Sequence, residues 1–202
     1  MSSNELIETI KIENSQILHI EWHNLRFNRT RRELFGMQNP INLQDYIEPP
    51  RDIGTFRCRV VYSKNIEYIE YIPYQIKKPK TFKIVKSNID YQYKFLNRVE
   101  IERLRAEALP YSEIIIEKNG LLTDTSIANI AFYNGEYWIT PQKPLLKGTM
   151  RENLLNNNRL VEKDIKQEKL SDFSHFALMS AMIGFQIQKN IIIQSEKEKL
   201  CL

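Results

Sequence analysis

Four short stretches hold side chains whose types and spacing suit chemistry. In DYQYKFLNR, Lys94 stands between Tyr93 and Phe95, at what reads as the start of a helix. A lysine amine becomes a nucleophile near neutral pH when burial or neighbouring cations disfavour its ammonium form. In LLTDTSIANI, residues 121–130, Asp124 stands with Thr125, Ser126 and Asn129 in a loop. A carboxylate there can keep a heterocyclic nitrogen protonated, and the same residue types also build ordinary turns. In LLKGTMREN, residues 145–153, a glycine precedes a helix start. Free backbone N–H groups at that end suit a phosphate, with the Thr149 hydroxyl as a further donor; Thr149 as a plain N-cap fits too. In HNLRFNRTRREL, Arg26, Arg29, Arg31 and Arg32 can grip a phosphate, follow a nucleic-acid backbone, or form a solvated basic face.

The elements that must position these residues are mostly hairpins. LIETIKI and ILHIEWH flank the polar turn ENSQ, and TFRCRVVY and IEYIEYIPY flank SKN. Between the pairs, NLRFNRTRRELFG predicts a helix with Leu25, Arg29 and Arg32 on one side and Gly36 as its stop. The Pro- and Lys-rich PYQIKKPKTF predicts a linker over residues 73–82. QYKFLNRVEIERLRAEAL then predicts one helix, ended by Pro110 and apolar on more than one side, so buried between layers. Two Asn-Gly pairs, Asn119-Gly120 and Asn134-Gly135, predict tight type I′ hairpins. Downstream, NRLVEKDIKQEKL predicts charged helix or loop, and NIIIQS a short strand followed by a charged tail.

Composition narrows the class without choosing a function. The chain has 202 residues, enough for one large domain or two small ones, with 42% hydrophobic and 27% charged residues, as in ordinary globular proteins. A net charge of +4 fits an enzyme for anionic small molecules as well as a weak nucleic-acid binder. Cys58 and Cys201 are far apart and His19, His23 and His175 are scattered, so no metal site is expected, and so few cysteines suit a reducing compartment. MSSNELIETI lacks a basic start and an apolar core, and no apolar run approaches the roughly 20 residues that span a bilayer. The expectation is a cytoplasmic protein with no membrane partner.

The fragments H-x-x-R, K-x-L-N, T-D-x-S-x-x-N and G-x-x-R, in that order, resemble the fold-type IV pyridoxal-phosphate enzymes, the class IV aminotransferase family. YKFLNR resembles the Schiff-base lysine segment, in the form most like the aminodeoxychorismate lyase branch. GLLTDTSIANIAFYNGEYWITP resembles the cofactor-ring segment, LLKGTMR the phosphate segment, and ETIKI with HNLRFNRT the N-terminal strand and phosphate arginine. The resemblance implies an α+β fold of two lobes, a small N-terminal α/β lobe over residues 1–76 and a larger, β-barrel-like C-terminal lobe over residues 77–202 that carries the lysine. It implies pyridoxal 5′-phosphate as cofactor and a homodimer. Residue by residue, Lys94 is the Schiff-base and proton-transfer residue and Asp124 faces the pyridine nitrogen. Arg26, Thr149 and Met150 hold the phosphate, and Ser180 lies where relatives often carry a hydroxyl near it. Two departures stand out: many relatives have Glu where this chain has Asp124, and Gly-Ile-Thr-Arg where it has Gly-Thr-Met-Arg, which moves the hydroxyl by one position. Family members also usually carry a longer N-terminal domain.

The expected reaction is elimination of pyruvate from 4-amino-4-deoxychorismate to give 4-aminobenzoate, a folate precursor. An amino-acid transaminase of the branched-chain or D-amino-acid type is the alternative. The substrate is anionic, and Arg57 and Arg59, alternating with Cys58 and so sharing one strand face, are its candidate carboxylate ligands. The partner is thus a small molecule, not a nucleic acid. A binding protein without catalysis, using Arg26 to Arg32, is the reading from another class.

Overall fold

The computed structural model describes residues 5–76, 78–195 and 199–201. The first four residues, the expected domain boundary at residue 77 and most of the charged tail lie outside the described residues. The chain divides into two compact units, one of Met1–Ile76 with Tyr93–Asn97, the other of Lys77–Gln92 with Arg98–Leu202.

In the first unit, β1 (Leu6–Glu13), β2 (Gln16–Ile17), β3 (Thr55–Tyr62) and β4 (Ile66–Pro73) form an antiparallel sheet in the order β2-β1-β3-β4. Helix α1 (Ile20–Phe35) follows β2. Of the expected strand ILHIEWH only Ile17 is strand, in the two-residue β2, for a local reason. Leu18 N–H bonds the Lys11 carbonyl, and His19 then turns into the left-handed region at φ 54, which sends the chain into α1. The helix stops at Gly36, whose φ of 68 suits a residue without Cβ and whose N–H bonds the Arg31 and Arg32 carbonyls. Period-two alternation puts Leu6, Ile10 and Ile12 of β1 and Cys58, Val60 and Tyr62 of β3 into one core.

The face α1 turns inward is not the one its apolar residues suggest. His23, Arg26, Phe27, Thr30 and Arg31 are buried at helical spacing, while Leu25 is 62% exposed. A buried polar face needs partners for most of its groups. Arg31 donates to the Lys64 and Asn39 carbonyls and to Asn28 Oδ1, and its guanidinium lies 5.3 Å from the Phe27 ring centroid.

The expected helix at Lys94 is corrected. Residues 91–98 are non-helical, and α2 (Val99–Glu107) begins five residues after the lysine. The segment is drawn out of a helix because it pairs with the start of β1: Ile7 N–H bonds the Lys94 carbonyl, Leu96 N–H bonds the Glu5 carbonyl, and Phe95 bridges Leu6. Tyr93 and Phe95 pack on the same core. Tyr93–Asn97 therefore belongs to the first unit, not to the C-terminal lobe expected to carry Lys94.

The second unit holds β5 (Thr81–Lys86), α2, β6 (Glu113–Lys118), β7 (Leu121–Thr125), β8 (Asn129–Tyr133), β9 (Trp138–Pro141), α3 (Thr149–Asn156), β10 (Val161–Lys163), β11 (His175–Ser180), β12 (Gly184–Gln188), β13 (Ile192–Gln194) and β14 (Lys199–Cys201). They join in one sheet, β10-β9-β8-β7-β6-β5-β13-β14, with β11 on β8 and β12 on β11. The fold is α+β, mostly sheet with few helices. Strand β5 arises inside the expected linker, its Phe82 and Ile84 entering the core beside Ile115, Leu122 and Phe176. The 119–120 hairpin is tight, both residues having positive φ (54 and 76). The second Asn-Gly loop is longer than expected: β9 begins only at Trp138, because Asn134 Oδ1 accepts the Glu136 and Tyr137 N–H groups and spreads the turn over four residues. The stretch expected as charged helix or loop forms β10 and a 3₁₀ turn over Gln167–Asp172.

Strand β8 gives one edge to β11 along its length. It divides the other between β7, at the single pair Asp124↔Asn129, and β9, at Phe132 and Tyr133. The candidate site of this unit lies where β7 and β8 part.

Candidate active site

In the first unit, the in-phase positions of β1 read Leu6, Glu8, Ile10, Ile12, so the strand delivers one carboxylate into an apolar core. Glu8 is fully buried and meets α1 there. Arg26 donates through Nε to Glu8 Oε1 (2.9 Å) and through Nη2 to Glu8 Oε2 (2.5 Å). His23 Nδ1 lies 2.6 Å from Glu8 Oε2. Burial alone raises a carboxyl pKa, but here the Arg26 guanidinium and the bonds from His23 and Arg26 outweigh it and hold Glu8 down at about 2. Burial lowers the His23 pKa against the pull of Glu8, and the positive charges of Arg26 and Lys94 add to the lowering. His23 is therefore neutral at pH 7, and its Nε2 is buried without a hydrogen-bond partner.

Lys94 is half-buried and enters this neighbourhood through its backbone, since the residue that bonds its carbonyl, Ile7, precedes Glu8 on β1. Arg26 and Lys94, 68 residues apart in sequence, thus share one unit. Glu8, which organises the cluster, was not among the expected site residues. Its signal was present all the same: a charged residue in phase with Leu6, Ile10 and Ile12.

Arg57 and Arg59 both lie on β3 and fare differently. Arg59 pairs with Glu70 directly across the ladder on β4. Arg57 Nε is buried without a hydrogen-bond partner.

In the second unit the centre is Asp124, at the end of β7 and buried. Its Oδ1 accepts from Asn129 Nδ2 (2.7 Å) and its Oδ2 from Leu146 N–H (2.9 Å). Burial raises its pKa to about 6; the Leu146 and Asn129 bonds and the Arg151 charge only partly offset that. Asn129 Nδ2 also donates to the Leu146 carbonyl (2.8 Å), so Leu146 is held at both its backbone polar groups. Two residues on, Gly148 is the N-cap of α3, and Thr149 opens the helix instead of capping it. The N–H groups of a first turn have no acceptor inside the helix. Thr149 is buried, and Met150 is partly buried against the cluster of Ala131, Leu154 and Met179. Arg151 is fully buried; its Nη2 donates to the Pro141 carbonyl (2.9 Å) and to Glu162 (2.5 Å), and its Nη1 to Glu152 (2.6 Å), fastening α3 to β9 and β10.

Ser180 ends β11, one residue past Met179, which pairs with Asn129. The sheet register thus brings Ser180 to the end of the sheet that carries Asp124 and Asn129. Ser126, in the loop after Asp124, has a buried Oγ without a partner. The donor set suits pyridoxal 5′-phosphate. A buried carboxylate with uncharged hydrogen-bond partners suits a pyridinium N–H, and a glycine-led helix start suits a phosphate.

The family model described as amino-transferase class IV matches residues 57–191. An uncharacterized protein of Haemophilus influenzae is 38% identical over 184 residues, 89% of this chain and 98% of that protein. A Schizosaccharomyces pombe protein named "Putative aminodeoxychorismate lyase" is 29% identical over 146 residues, 67% of this chain and 62% of that protein. Among solved structures, a "putative 4-amino-4-deoxychorismate lyase" from Haemophilus somnus is 34% identical with a TM-score of 0.83, covering 91% of this chain and 99% of that one. That match extends over nearly all of both chains. The matched span, the order of Lys94, Asp124 and Gly148, and the fold lead to one conclusion: the chain belongs to the class IV aminotransferase family, whose cofactor is pyridoxal 5′-phosphate.

Proposed function

We propose that the chain is a lyase that converts 4-amino-4-deoxychorismate to 4-aminobenzoate and pyruvate, a step towards folate. The observation that carries this reading is the near full-length likeness, at 34% identity, to the Haemophilus somnus protein of that name. Arg57 supports it, because a buried Nε without a partner suits a substrate carboxylate, whereas Arg59 is already paired with Glu70.

When bound, pyridoxal phosphate supplies an electron sink that acidifies the C–H bond beside the substrate amine. Asp124 would accept a hydrogen bond from the ring nitrogen and keep it protonated. Arg26, Thr149 and the first-turn N–H groups of α3 at Met150 would hold the phosphate, with Ser180 near it. Lys94 provides the amine that takes the proton from the amino-bearing carbon. The neighbouring C–O bond then breaks, the ring becomes aromatic, and the departing enolpyruvate gains a proton to become pyruvate. Glu8 and His23 keep Arg26 oriented and leave Lys94 beside a neutral imidazole. We place the enzyme in the cytoplasm as a homodimer acting on small molecules; light scattering tests the assembly.

Two measurements test the reading. The purified protein is expected to be yellow, and to lose its visible band on borohydride treatment or in Lys94→Ala. With 4-amino-4-deoxychorismate alone it is expected to release pyruvate. Activity seen only when a 2-oxo acid is added to an amino acid would make it a transaminase instead.

A further inference from the structure

Gly148 occupies a position where the backbone asks for no glycine. Its φ of −71 and ψ of 144 lie in the extended region open to any residue. It is also an N-cap, where Ser, Thr, Asp and Asn are strongly preferred because their side chains bond the first turn. What excludes a side chain is Asn129: a Cβ at 148 would overlap its Oδ1 and lie 3.2 Å from its Cγ.

Asn129 in turn has little freedom. Its backbone is paired on both edges, with Asp124 of β7 and Met179 of β11. Both bonds from its Nδ2 go to acceptors, Asp124 Oδ1 (2.7 Å) and the Leu146 carbonyl (2.8 Å). Turning the amide over would set its oxygen against a carboxylate and a carbonyl, so the network fixes its orientation. Oδ1 must then point at Gly148. The Asp124 Oδ2 bond to Leu146 N–H closes the ring of contacts.

We propose that Asn129 is a positioning residue that ties Asp124 to the lead-in of α3, through hydrogen bonds at Leu146 and contact at Gly148, and that Asn129, not the backbone, requires glycine at 148. Asp124 cannot shift without dragging Leu146, and α3 cannot approach without meeting Asn129 or retreat without stretching the Leu146 bonds. This rests on the proposed reading in one respect, that Asp124 serves the ring nitrogen and α3 the phosphate. The two ends of the cofactor are then held at a separation set by one amide.

A double-mutant cycle in the full chain tests this, using Asn129→Ala, Gly148→Ala and the pair; Asn129→Ser replaces Asn129→Ala if the latter does not fold. The first readout needs no cofactor: the urea midpoint of the apoprotein. The second compares affinity for pyridoxal 5′-phosphate with that for pyridoxal, which lacks the phosphate, and follows the pH midpoint of the visible absorbance band. Gly148→Ala is expected to lower the urea midpoint and to weaken pyridoxal 5′-phosphate binding about tenfold, yet to leave the midpoint unchanged and the affinity within about twofold once Asn129 is Ala. Asn129→Ala is expected to move the pH midpoint of the band, which a merely structural residue would leave in place. Additive effects of the two substitutions, or an unmoved pH midpoint, would overturn the proposal. If the wild-type protein binds no pyridoxal 5′-phosphate, the cofactor reading fails, and the urea cycle still decides whether Asn129 dictates Gly148.

Discussion

Glu8 and Asp124 are both buried carboxylates, one in each unit, and their ionisation is shifted in opposite directions. Glu8 is held at about 2, Asp124 is raised to about 6. Burial pushes both upward; the sign of the neighbours decides the outcome. Glu8 meets a guanidinium through two hydrogen bonds and an imidazole through a third. Asp124 meets an amide and a backbone N–H, with Arg151 acting only at a distance. A carboxylate already paired with a cation is a structural anchor. One that is buried among neutral donors still gains from a positive group, which is what a protonated pyridine ring provides.

Breaking the Glu8 side of this contrast should cost most. Glu8→Gln leaves Arg26 buried without its anion, and urea unfolding is expected to show a loss of about 3–5 kcal/mol. A loss below about 1 kcal/mol would mean that the Arg26 charge is compensated elsewhere. The pH dependence follows with its sign. Glu8 has a folded pKa below its unfolded value of 4.5, so its contribution is fully present above pH 4.5 and is lost as pH falls towards 2. The shift is worth roughly 3 kcal/mol, and Glu8→Gln should remove that part of the acid sensitivity.

Asp124 should do the reverse. Its folded pKa lies above the unfolded 3.8, so the folded apoprotein holds its proton longer and loses stability as pH rises from 3.8 to about 6. Between about pH 3.5 and 7, apo Asp124→Asn should gain roughly 3 kcal/mol relative to wild type. A pH-independent difference would show that Asp124 pays no charging cost. The smallest effect separates the two arginines of β3. Arg59→Met breaks a half-exposed pair and should cost less than about 1 kcal/mol with little change in KM. Arg57→Met should raise KM for the substrate about tenfold, the loss of roughly one charge-assisted hydrogen bond.

What the sequence revealed follows the same division. The hairpin of β3 and β4, the Gly36 stop and the Asn119-Gly120 turn were legible because each is fixed by local chemistry: strand formers about a polar turn, or positive φ. The inward face of α1 was not, because it is built from His23, Arg26, Thr30 and Arg31, and hydrophobic periodicity looks for the opposite. The segment around Lys94 read as helix because its residues tolerate one. Its pairing with Ile7 and Glu5, nearly 90 residues away in sequence, is a tertiary contact that no local pattern shows. Asp124 and the Gly148 helix start were legible as fragments in order. The amide that joins them was not, since Asn129 reads locally as a turn former.

The ties around Arg151 and Leu146 bear on how this chain can change length. The connection from β9 to α3 is fastened where it begins, at the Pro141 carbonyl, and again at Leu146, with only residues 142–145 between. An inserted residue there has nowhere to go without releasing a buried arginine or a buried carboxylate. The Asn134–Tyr137 turn, exposed from Asn134 to Glu136, is tied outward at Tyr137, whose hydroxyl accepts from Lys163 Nζ, but that contact lies at the surface and holds no buried charge. Insertions and deletions among descendants of this sequence should therefore collect in that turn and spare the other connection, although both look like short polar loops.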